Sequence, residues 1–279
     1  MASYSKVKGI PSYFLLEKYG IKPDDVCRLF LRCEPHEIQE EVVITPEWLA
    51  DIWTDTADNM VTIYENIVYT LLYKGQKFTF IRSGMGASQA GEVVLALSST
   101  PCRHIIFTGS FGGLTDKLKI GDFLTVTESM GGDGYSSYLE KGKLSQKKFL
   151  KPTRPHAGFN EILKEYAAKE IAKEKGITLH EGRIFSTDTI IGQFQHLDMI
   201  TGELSCVGIE METSAVFNAA ALTGMPATAL LIASDVIATG KSLFSGRNIK
   251  EKERYQQIKR KVLSRIILET LSDKRLAEI

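Results

Sequence analysis

Gly208-Ile209-Glu210-Met211-Glu212-Thr213-Ser214-Ala215 and, about 20 residues further on, Ala233-Ser234-Asp235 decide how this chain reads. The first segment sets two carboxylates around a methionine and then enters a run of small and apolar residues, 215–222, patterned as a buried helix. The second closes an apolar run, 227–233, with an acid. A buried strand that ends in a carboxylate delivers it to the carboxyl edge of a sheet, where open α/β folds place their sites. Two acidic patches delivered this way predict a pocket that accepts hydrogen bonds from hydroxyls and donates a proton.

Outward from these segments, strands alternate with helices. Strands are expected at 26–31, 76–81, 102–107, 123–128, 180–185, 206–209 and 227–233. Helices are expected at 88–97, at 158–175 closed by Gly176, at 211–222 ending at Gly224 with Pro226 beyond, and at 249–271. Residues 48–68 are weakly patterned, and 131–149, polar and glycine-rich at its start, reads as a surface excursion over the site. The alternation implies an α/β fold: a single domain over 1–279, with a central mixed twisted sheet flanked by helices and an irregular N-terminal segment 1–25.

Composition narrows the function. In 279 residues, a hydrophobic content of 43% allows a sizeable core. The 34 basic and 34 acidic residues balance without a basic stripe, which argues against nucleic acid as a partner. The charged run 250–261 carries both signs and reads as a solvated helix face. Cys27, Cys33, Cys102 and Cys206 lie far apart with no C-x-x-C pair, as expected of reduced thiols in a cytoplasmic protein. No secretory h-region follows Met1, and no apolar run approaches the roughly 18 residues of a membrane span. No metal-ligand spacing appears, so neither a metal nor another cofactor is expected.

Two further segments, Arg82-Ser83-Gly84-Met85-Gly86 and Ile105-Ile106-Phe107-Thr108-Gly109-Ser110-Phe111-Gly112-Gly113-Leu114, stand ahead of the acidic ones. In order and spacing, over residues 78–240, the set resembles the nucleoside phosphorylase/nucleosidase family, whose members cleave the bond between ribose and base. The resemblance implies that Glu212, beside Glu210, binds the ribose hydroxyls and that Met211 lies against the sugar. A carboxylate there stabilises the oxocarbenium-like charge of the transition state more than the ground state. Asp235 then protonates the purine at N7 so that it leaves as a neutral base. Gly84, Gly86 and Gly109 permit close backbone approach on the nucleophile side, and Ser110 adds a hydroxyl there. Thr187-Asp188-Thr189-Ile190-Ile191-Gly192-Gln193 resembles the base-pocket segment, with Thr189 and Ile190 where an aromatic often stands. Gln193 matches a glutamine of pyrimidine-cleaving members, whereas Asp235 favours a purine.

The departures bear on the nucleophile. Phosphorolytic members hold phosphate with arginines, because a doubly charged anion needs charge-assisted contacts. The strand-loop glycine of those members falls on Cys33 and the arginine four residues on falls on Glu37; two further arginines fall on Phe107 and Tyr64. The hydrolytic branch resembles this chain more closely, which implies that Glu37 orients the attacking water. The expectation is therefore hydrolytic cleavage of a purine-type nucleoside, with at least a homodimer because family sites lie near subunit contacts. The alternatives are a phosphorylase with an atypical phosphate site, in which Arg82 supplies a cation, and a binding or storage protein without activity.

Overall fold

The computed structural model describes residues 8–144 and 149–279. Its order is α1 (Pro23–Leu31), β1 (Glu41–Thr45), the hairpin β2 (Asn59–Tyr64) and β3 (Val68–Tyr73), β4 (Gln76–Arg82), α2 (Ala87–Leu97), β5 (His104–Gly113), β6 (Phe123–Gly132), a short α3 (Tyr135–Tyr138), β7 (Lys151–Thr153), α4 (Ala157–Ile171), β8 (Leu179–Thr187), β9 (Gly208–Glu210), α5 (Thr213–Thr223) and β10 (Ala227–Val236). The chain ends in a helical run, α6 (Ile249–Gln257), a wide π-helical stretch (Ile258–Leu263) and α7 (Ser264–Leu271).

The strands join into one mixed sheet, as the α/β pattern predicts, with helices on both faces. The period-2 alternation of β1 sorts its residues. Val42 and Ile44 enter a core with Leu31 of α1, Val94 of α2 and Phe217 of α5. Val43 enters the opposite core with Phe159 of α4, Tyr255 of α6 and Ile267 of α7. The first half of β5 pairs in parallel with β1 on one edge and β10 on the other. β10 continues to β6, β6 to β8, and β8 to β9. β9 then returns antiparallel to Gly112 and Gly113, closing a ring of five strands, while β4, β3 and β2 extend the sheet beyond β1. The ring brings the ends of β9 and β10 to either side of the same two glycines.

Several expectations change. Residues 26–31 form a helix, not a strand: Pro23 stands in its first turn with Asp24 and Asp25, and only Cys27 and Leu31, four residues apart, are buried. The first strand is instead 41–45, which moves the start of the sheet past the irregular segment. The unassigned stretch 48–68 supplies a 3-10 turn (Ala50–Trp53) and the strand β2. The terminal helix is interrupted by the π-helical stretch. The expected stop of α5 holds: Gly224 takes φ +75°. In the excursion 131–149, residues 131–132 belong to β6 and residues 145–148 lie outside the described residues. Its described part packs over α2 and α5, with the Tyr135 ring so close to Gly91 that a Cβ there would lie 2.1 Å away. All four cysteines are free and buried. Among the described residues no helix is long and apolar enough to cross a membrane.

The ring tolerates little added volume where β6 meets β8. A Cβ on Gly132 would sit 2.2 Å from Phe185 Cζ and 2.7 Å from the Ser186 carbonyl oxygen, and a backbone atom cannot rotate away. Gly132→Ala is expected to cost about 1–3 kcal/mol, the usual penalty of overpacking, and to lower the Tm by several degrees in a thermal melt.

Candidate active site

The β9–α5 corner separates two glutamates that look equivalent in sequence. Both are buried, Glu210 at 6% exposure and Glu212 at 5%. Glu210 spends its oxygens locally: Oε2 accepts from the Glu212 and Thr213 backbone N–H groups, each at 2.8 Å, and Oε1 accepts from Ser186 Oγ. It thus caps the orphan donors at the start of α5. Glu212 is the N-cap residue, but its side chain makes no cap hydrogen bond; it reaches across to accept from Gly86 N–H at 2.6 Å. Gly86, with φ +100°, is itself the N-cap of α2, and Gly84 takes φ +88° two residues before. Both conformations favour glycine, and they are what turns the β4–α2 connection toward Glu212. Burial, then the neighbouring Glu210 charge, push the Glu212 carboxyl up to about 8.

β10 reaches the same place by a bulge. Its pairing with β5 slips between Ala233 and Asp235, so that Asp235 faces Gly112. An inserted residue re-aims the side chains around it. Asp235 is 4% exposed, and its Oδ1 accepts from Ser234 Oγ at 2.7 Å. Burial raises its pKa, opposed by the Ser234 hydrogen bond and the positive charge of Arg247. A Cβ on Gly112 would lie 3.4 Å from Asp235 Oδ2 and 3.4 Å from Ile209, so this glycine leaves the gap between the two acidic strands open.

On the other edge of β5, β1 ends at Thr45 and is followed by Pro46 and Glu47. Ser110 Oγ donates to Glu47 Oε1 at 2.9 Å and lies 2.9 Å from Tyr255 Oη. Glu47, Ser110, Met211, Glu212, Asp235 and Arg247 line one cleft of about 190 Å³, together with Glu210, Thr187, Ile190 and Gln193. Met85, Phe111, Ile209, Ile237 and Leu243 supply apolar wall. The Phe194 and Phe244 rings, 5.9 Å apart, join the two loops that carry Gln193 and Leu243 to it.

Of the residues expected from sequence, the cleft gathers Asp235, Glu212, Met211, Glu210, Ser110, Ile190 and Gln193. Gly84, Gly86 and Gly109 do not line the cleft; Gly109 lets Pro46 approach, as a Cβ there would be 3.3 Å from its ring. Thr189 is exposed, and its Oγ1 accepts from Gly192 N–H at 3.0 Å instead of facing the cleft. Glu37 is not brought to the cleft. It lies in a 3-10 turn ahead of β1, where its Oε2 accepts from Glu34 N–H at 2.8 Å. With β1 rising about 3.3 Å per residue, that is the far end of the strand from Glu47. Pro46-Glu47 follows β1 at its carboxyl end, whereas Cys33 and Glu37 belong to the α1–β1 connection. Phe107 is buried in the core and Tyr64 stands exposed at the end of β2.

Sequence reading passed over Glu47, Arg247 and Tyr255. The signal for Glu47 was present: Val42-Val43-Ile44-Thr45-Pro46-Glu47 has the same grammar as 227–235, an apolar strand closed by an acid. Tyr255 sits in the charged run 250–261, yet Tyr255, Ile258 and Val262 recur at helical spacing and are all buried.

A sequence model of the phosphorylase superfamily matches residues 50–272. The purine nucleoside phosphorylase DeoD-type of Clostridium beijerinckii is 33% identical over 177 residues, covering 62% of this chain and 69% of that protein. Two solved structures share the fold. The purine nucleoside phosphorylase of Toxoplasma gondii, in complex with immucillin-H, superposes with a TM-score of 0.69 at 19% identity, covering 86% of this chain and 95% of that one. A futalosine hydrolase mutant of Helicobacter pylori strain 26695 gives 0.62 at 18% identity, covering 83% of this chain and 100% of that one.

The Glu212 carboxyl carries a stability signature. Its pKa is raised in the folded chain from 4.5 to about 8, so its contribution is fully present below pH 4.5 and is lost as pH rises through 8. Stability measured by urea unfolding should therefore fall between pH 5 and 8.5, and Glu212→Gln should flatten that fall. A slope unchanged in the variant would place the buried proton elsewhere.

Proposed function

Since the chain belongs to the phosphorylase superfamily, we propose that it cleaves the N-glycosidic bond of a purine-type nucleoside with water as the nucleophile. The observation that carries the choice of water is Glu47: a carboxylate on the opposite edge of β5 from Asp235, tethered at 2.9 Å by Ser110 Oγ. A carboxylate accepts a proton from water and repels phosphate.

In this reading Glu212, ionised on binding, accepts hydrogen bonds from the ribose 2′ and 3′ hydroxyls, with Met211 against the sugar. Asp235, whose pKa is raised by burial, gives its proton to N7 as the bond from C1′ to the base nitrogen breaks and its electron pair passes to the base. Water adds to C1′ and passes a proton to Glu47, and the proton returns to Asp235 through solvent. Thr187, Ile190 and Gln193 border the base. Asp235 favours a purine over a pyrimidine, in keeping with the name of the bacterial relative.

One observation favours a second reading, phosphorolysis. Arg247 lines the cleft, and its guanidinium makes no hydrogen bond or ion pair among the described residues. Base release from adenosine, inosine and methylthioadenosine, with and without phosphate, separates the two. Water as nucleophile gives free sugar at equal rates in both buffers; sugar 1-phosphate formed only with phosphate would assign Arg247 to the anion and overturn hydrolysis. Asp235→Asn is expected to lower kcat by about 100- to 10,000-fold, the usual share of a positioned acid. The wild-type rate should fall as pH rises through the elevated pKa of Asp235.

A further inference from the structure

The nucleophile side of the cleft is held by a part of the chain far from the acidic motifs. Tyr255, on α6, is 3% exposed, and its hydroxyl meets Ser110 Oγ at 2.9 Å. Ser110 has one proton, and it points to Glu47 Oε1. The phenol therefore donates to Ser110, and the bonds run in one direction, from Tyr255 through Ser110 to the Glu47 carboxylate.

Two cations polarise this phenol. The Arg247 guanidinium lies 4.2 Å from the centre of its ring, and Lys259 Nζ lies 5.8 Å from it. Lys259 is unusual in itself. It is 6% exposed, makes no ion pair among the described residues, and sits in the π-helical stretch that follows α6, a geometry frequent at functional sites. Its ammonium also lies 5.0 Å from the Trp48 ring, so it grips the residue next to Glu47. A buried lysine thus lies over two aromatic faces, one of the residue next to Glu47 and the other of the residue bonded to Ser110.

We propose that Tyr255 is a positioning residue of the reaction, holding the Glu47 carboxylate toward the attacking water through Ser110, with Lys259 and Arg247 strengthening its donation. The assignment rests on the role of Glu47 given above. The other charged or titratable groups around Glu47 are Arg82 of β4, whose Nε donates to the Glu47 carbonyl oxygen, and Glu212 at the entry to α5. Asp235 lies within electrostatic reach of Tyr255, and Asp51, close to Lys259, is paired with Arg260.

Tyr255→Phe in the full chain keeps the ring and both cation contacts and removes one hydroxyl. It should lower kcat about tenfold with the nucleoside KM unchanged, and move the acid limb of the pH–rate profile up by about one unit, since a donor that favours the charged carboxylate is lost. Lys259→Met should move the limb the same way by less. Glu47→Gln is the reference: its acid limb should vanish. An acid limb that persists in Glu47→Gln overturns the role of Glu47 itself. If that limb vanishes while Tyr255→Phe keeps the wild-type profile, or loses activity only in step with a lowered Tm, Tyr255 does no positioning.

Discussion

Everything in the cleft depends on the carboxyl end of β5 being paired on both edges. Gly112 and Gly113 bond to β9 on one side and to β10 on the other, which closes the ring and fixes the distance between the two acidic strand ends. Both glycines leave tight space: a Cβ on Gly112 would lie 3.2 Å from Ile237 Cδ1 and one on Gly113 would lie 3.2 Å from Leu118 Cδ1, so that a neighbouring side chain would have to give way. What glycine supplies here is space between strands, not a special backbone conformation. The bulge in β10 matters for the same reason, since without the slip at Ser234 the side chain facing the gap would not be Asp235.

Within that frame the acids are differentiated by what already bonds them. Glu210 has three donors before any ligand arrives, Glu212 has Gly86 N–H across the corner, and Asp235 has Ser234. Burial raises the pKa of all three, and these donors oppose it. The three carboxyls are thus similarly buried side chains with unequal hydrogen bonding.

Sequence carried the β9–α5 and β10 ends of the cleft well, because in both places a strand, its terminal acid and the following turn are contiguous. It misread the opposite wall for a specific reason. Val26-Cys27-Arg28-Leu29-Phe30-Leu31 is apolar enough for a strand, and only Pro23-Asp24-Asp25 ahead of it marks a helix start. Once that helix is taken as the first strand, the count to the acid lands on Glu37 and not Glu47. The separation of Glu210 from Glu212 was illegible, since it turns on which of two neighbouring side chains folds back on its own backbone. Tyr255 was obscured by the charges around it, although its helical spacing with Ile258 and Val262 was there to be read.

The position of β10 also shapes how the molecule comes into being. It is the strand that lies between β5 and β6 in the ring, yet it begins over a hundred residues after β5 ends. During synthesis, β5 and β6 must wait with a bare edge each until 227–236 emerges. Such edges invite pairing with other chains, and contacts this distant in sequence form slowly. The nascent protein should therefore be most prone to aggregate late, when nearly all of its sheet has been made but the strand that seals it has not.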